Sequence, residues 1–156
     1  QGAPASGGFG KPVKFVLEGV GHEETPLKTS ISVEVAPGEL IDKITILEIK
    51  LERIEDADKL ANVKLDWGTL SAARDAAIET TEDLERLSAE LKQANERLWQ
   101  IEDDIRDRER NKDFGDAFVE LSRSVYLTND KRAALKREIN ELLGSRLIEE
   151  KSYASY

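Results

Sequence analysis

The chain has 156 residues, no cysteine, and 32 acidic against 23 basic side chains, for a formal net charge of -9. One hydrophobic core can form at that length without covalent staples, and the lack of thiols excludes disulfides and thiolate metal sites. The negative balance argues against a nucleic-acid partner, which needs clustered Lys and Arg to displace counterions.

Composition adds two expectations. With 39% hydrophobic and 35% charged residues the chain suits long, solvated helices packed on one core. No apolar run approaches the ~20 residues that cross a bilayer, and no basic-then-apolar signal opens the chain. A cytoplasmic protein without membrane insertion is expected.

Residues 1-12 hold four of the ten glycines and two of the four prolines and read as a flexible arm. The opening Gln1-Gly2 resembles the remnant of an expression tag. Residues 13-36 read as a short β-hairpin. Val13, Phe15 and Leu17 alternate with polar residues, as do Ile31, Val33 and Val35, while Gly19 to Pro26 has loop chemistry. That loop carries the single histidine, His22, beside Glu23 and Glu24. Adjacent residues rarely converge on one ion, so no metal and no cofactor are assigned.

Residues 37-156 are expected to form a helical bundle domain. Pro37 suits the first helical position and Glu39 the first turn, where a carboxylate meets the positive end of the helix dipole. Leu40, Ile44, Leu47, Leu51 and Ile54 then recur at helical spacing. Ile41, Ile46 and Ile49 extend the apolar surface around most of the girth, which marks a central helix. Glu55 to Asp58 interrupts it, and a second helix is expected from about Lys59 to Ala77.

The longest pattern runs Leu84, Leu87, Leu91, Ala94, Leu98, Ile101 and Ile105, a three-four alternation sustained over three heptads. Thr80 is placed as its cap, and Glu82–Arg86, Glu102–Arg106 and Asp104–Arg108 as pairs one turn apart. After a turn at Asp113 to Asp116 the alternation resumes through Phe118, Leu121, Val125, Thr128, Arg132, Leu135, Ile139 and Leu142. Gly144 stands at the left-handed C-cap position. The two rods predict a long antiparallel hairpin packed with the central helix, and the fold class is mainly α with a short N-terminal β-hairpin. Thr128 and Arg132 are polar at core-type positions, which sets register or lines a site. The tail should pack back on the bundle, with Leu147 and Ile148 entering the core groove and Tyr153 as anchor.

Gly38 to Leu47, Leu98 to Asp103, Ser124-Val125-Tyr126 with Asn129-Asp130, and Glu149 to Tyr153 together resemble a bacterial and phage-borne family of small uncharacterised proteins. The resemblance spans about 31-156 and implies an accessory role in surface-polysaccharide biosynthesis. Ile41-Asp42-Lys43-Ile44 is also similar to the first helix of the chorismate mutases. That likeness implies an enzyme holding a dicarboxylate with Arg53, Arg123, Arg132 and Lys136, although Thr45 replaces the acidic residue expected there.

The principal expectation is a non-catalytic interaction or assembly module, a homo-oligomer with a protein partner, since long amphipathic rods make docking surfaces. The candidate binding residues are Asp42, Lys43, Arg123, Asn129, Asp130, Arg132, Lys136, Glu149, Glu150, Lys151 and Tyr153.

Overall fold

In the computed structural model, the described residues are Val13–Lys14 and 31-155. The expected arm, most of the first strand and the His22 loop lie outside them. Strand β1 (Val13–Lys14) pairs antiparallel with β2 (Glu34–Val35), Val13 opposite Val35 and Lys14 opposite Glu34. Four helices follow: α1 (Pro37–Arg53), α2 (Ala57–Ala77), α3 (Glu82–Arg110) and α4 (Asp116–Leu142). None of them is long and apolar enough to cross a membrane.

α1 touches each of the other three helices, as its all-round apolar surface requires. Leu40, Ile41, Ile44, Leu47 and Ile49 are all buried. Leu40 and Ile44 face Leu70, Ala73 and Ala77 of α2, whereas Ile41 joins Leu84, Leu87, Leu91, Leu135 and Ile139 between α3 and α4. Adjoining faces of one helix therefore serve two clusters. α2 lies on the outside, with only Val63 and Ser71 buried, and its Asp56 cap accepts from Lys59 N at 2.9 Å.

α3 and α4 form the long hairpin. Thr81 caps α3, its Oγ1 accepting from Leu84 N at 3.3 Å, one residue beyond the expected Thr80. Only Thr81 stands three positions before Leu84, the reach a side-chain oxygen needs to serve the N3 amide. Arg106 pairs with Glu102 as expected. Arg86 instead pairs with Asp83 and Glu90, neighbours one turn to either side, and Arg108 reaches forward to Asp113 in the turn that follows the helix.

Both long helices end in the same way. Lys112, at φ 53°, lets its own N–H reach Glu109 O at 3.1 Å and that of Asp113 reach Arg108 O at 3.0 Å. At the end of α4, Gly144 has φ 64°, with Gly144 N to Glu141 O at 3.2 Å and Ser145 N to Asn140 O at 2.8 Å. This paired closure satisfies carbonyls that a helix end would leave orphaned, and the left-handed residue turns the chain sharply. α4 is unbroken through Thr128 and Arg132.

Candidate functional site

The site starts from one acidic residue in an apolar helix. Asp42 is 1% exposed, and a carboxylate so placed must be matched by charge and hydrogen bonds. Arg132 of α4 supplies both: its Nε donates to Asp42 Oδ1 at 2.8 Å, and its Nη2 donates to Oδ2. Asn95 of α3 donates through Nδ2 to Asp42 Oδ1 at 2.9 Å and to Thr45 Oγ1 at 3.0 Å. The Thr45 hydroxyl in turn donates to the Asp42 carbonyl at 2.8 Å. Three helices thus meet on one carboxylate. The Asp42 hydrogen bond drives the Arg132 pKa further up than burial lowers it, so the guanidinium stays charged.

One turn along α4, Lys136 is buried with its Nζ 2.7 Å from Glu39 and 2.6 Å from Glu149. Burial alone would lower its pKa, but the hydrogen bonds to Glu149 and Glu39 outweigh it and the net direction is upward. A lysine whose folded pKa exceeds its unfolded value stabilises fully below the latter. That contribution is lost only as pH climbs past about 10.5 and through the raised folded value.

The helices come this close because residue 38 lacks a side chain. A Cβ at Gly38 would stand 2.4 Å from the Lys136 carbonyl oxygen, and the Gly38 amide donates to Asn140 Oδ1 at 2.7 Å. Backbone-to-backbone contact between α1 and α4 therefore places Glu39 and Asp42 opposite Lys136 and Arg132.

From Gly144 the tail folds back along α4 without regular structure. Glu149 reaches Lys136, Glu150 lies 3.5 Å from Arg137, Lys151 lies 2.7 Å from Asp130, and Arg146 pairs with Glu34 beside α1. The Lys151 ammonium also sits 5.2 Å from the centre of the Tyr153 ring. Between tail and helix opens a cleft of about 940 Å³. Its α4 wall carries Val125, Tyr126, Asn129, Asp130, Arg132, Ala133 and Lys136, and its tail wall Glu149, Lys151, Tyr153, Ala154 and Ser155.

Seven of the predicted binding residues line this cleft, namely Asn129, Asp130, Arg132, Lys136, Glu149, Lys151 and Tyr153. Asp42 lies behind it, held by Arg132. Three others stand elsewhere. Lys43 points to solvent, 3.9 Å from Glu39; Arg123 pairs with Glu120; Glu150 faces Arg137 on the outer side of the tail. The tail's attachment also differs from expectation. Leu147 is half-buried, but Tyr153 is 81% exposed and Ile148 49%, so ion pairs make most of the tail's described attachments.

Asn95, Thr45 and Asn140 complete the network and were not among the sequence candidates. The buried Asp42 demands partners from its neighbours, but nothing in the local spacing singles out Asn95, and Asn140 serves the Gly38 amide instead. The cations that a dicarboxylate-binding enzyme would need do not assemble among the described residues. Arg53 lies over Trp99 and Arg123 on the solvent side of α4, while Arg132 and Lys136 are already matched by carboxylates.

Comparison with curated proteins and with solved structures gives no match. A family model does match, over residues 31–156, which is most of the chain and contains all four helices and the tail. The chain thus belongs to the family of unknown function DUF6165.

Proposed function

We propose that this protein is a non-catalytic interaction module that works as a homo-oligomer and receives a partner in the cleft between α4 and the tail. The observation that carries the proposal is the pairing pattern around that cleft. Each cation on its walls already has a carboxylate partner, Arg132 with Asp42, Lys136 with Glu39 and Glu149, and Lys151 with Asp130. The pairs buried behind the wall hold its shape, the more exposed Lys151–Asp130 pair exchanges with an incoming group, and Tyr126 and Tyr153 supply contact area, as binding surfaces do. An accessory role in surface-polysaccharide biosynthesis is the setting suggested by the resemblance of the motifs at Gly38 to Leu47 and Glu149 to Tyr153.

The test is affinity capture from the native source with two baits, the wild-type chain and a Tyr126→Ala, Tyr153→Ala double variant. Both substitutions lie on the cleft walls and should leave thermal unfolding nearly unchanged. A partner retained by wild type and lost from the double variant is the expected result. Equal recovery on both baits would refute the cleft as the docking surface.

A further inference from the structure

The side of α4 turned away from the core has a regularity that the bundle does not use and the cleft uses only at its edge. Val119, Tyr126 and Leu127 are 50%, 39% and 44% exposed there, on the face opposite Leu121, Leu135 and Ile139. Charges flank this apolar centre in a particular order. Reversed about the midpoint between Tyr126 and Leu127, the helix complements itself: Arg123 falls opposite Asp130, Asp116 opposite Arg137, and Val119 opposite Ala134. From Asp116 to Arg137 no two like charges coincide under that reversal.

A face that matches its own reverse is what an isologous two-fold contact requires, because each residue then meets its complement twice. We propose that a second copy of this chain docks antiparallel on the outer face of α4. Arg123 of each copy meets Asp130 of the other, on either side of a Tyr126 and Leu127 centre. The proposal rests on the self-association put forward above and names the surface that performs it. In the single chain Arg123 interacts with Glu120 and Tyr126, and Asp130 with Lys151. These are solvent-exposed contacts that exchange at little cost. Tyr126 and Asp130 also belong to the cleft wall, so the second copy would form part of the cleft's rim.

The test uses two charge reversals, Arg123→Glu and Asp130→Arg, in sedimentation velocity over a concentration series. Wild type should dimerise. Each reversal alone places two like-charged pairs in the contact and should weaken association on the order of ten-fold or more. An equimolar mixture of the two variants should recover the dimer, because Glu at 123 then faces Arg at 130 and the native pair faces itself. Asp116→Lys with Arg137→Glu repeats the test at the helix ends should either first variant fold poorly by circular dichroism. A wild-type monomer at every concentration would overturn this pairing and the self-association together. An oligomer that the single reversals leave intact, or that the mixture does not restore, would overturn this pairing alone.

Discussion

The two ends of the α3–α4 hairpin share one sequence pattern and have different surroundings. Near the base, Leu84, Leu87, Leu91, Leu135 and Ile139 are buried under α1. Towards the turn, Ile105, Phe118, Leu121 and Val125 occupy equivalent positions and are only half-buried, and Phe114 in the turn is 50% exposed. The lengths explain the difference. The 17 residues of α1 extend about 25 Å and the 29 of α3 about 44 Å, so α1 covers little more than half of the hairpin. An apolar stripe reveals which side of a helix is covered, but the length of its neighbours decides how deeply.

The largest test of this contrast lies at the base, in the buried ion pair. Arg132→Ala should leave the Asp42 carboxyl buried without its cation and held by Asn95, at a cost of ~3–5 kcal/mol in urea unfolding. Replacing both Asp42 and Arg132 by Leu should cost clearly less than Arg132→Ala, because no unmatched charge then remains. Equal losses for the single and the paired replacement would show that the network, and not the charge pair, sets the stability.

A smaller effect should separate the two ends directly. Leu91→Ala removes a side chain with no exposure and should cost ~2–5 kcal/mol. Ile105→Ala, at the half-covered end, should cost under about 1.5 kcal/mol, since its neighbours can relax and part of its surface is already wet. If the two values coincide, something covers the outer half of the hairpin in solution.

The smallest effect concerns the tail, whose described anchors are mostly ionic. Removing residues 147-156 should lower the melting temperature by a few degrees at low salt. The difference should shrink towards ~1 M salt, where the screening length falls to about 3 Å. A loss that persists at high salt would restore the apolar anchoring that the sequence suggested.

Much of this architecture was legible in the residues. The heptads of α3 and α4, the central position of α1 and the turn at Gly144 each follow from local spacing and backbone preference, and the structure places them accordingly. α2 was harder to define because a helix lying on the outside, with Val63 and Ser71 buried, has only a weak amphipathic pattern. The tail misled for a different reason. Leu147, Ile148 and Tyr153 suggested burial, but only Leu147 is half-buried, and the charges between Ile148 and Tyr153 make most of the described contacts. Arg132 was visible as a polar residue at an apolar position, and Asp42 as part of the Ile41-Asp42-Lys43-Ile44 motif. Asn95 was not, because it lies beside the Ala94 seam and its partner stands 53 residues away in sequence.

The missing side chain at position 38 has a mechanical consequence. Glu39 and Asp42 follow Gly38 within about one helical turn, and both of their cationic partners stand on the helix that touches it. Gly38 thus acts as a pivot: a small tilt of α1 about it would move Glu39 and Asp42 less than any residue further along the helix, so the Glu39–Lys136 and Asp42–Arg132 contacts sit where the helix spacing is most closely fixed. The cleft wall is therefore calibrated by the spacing of two helix backbones, and a single methyl group at that point would throw both ion pairs out of register.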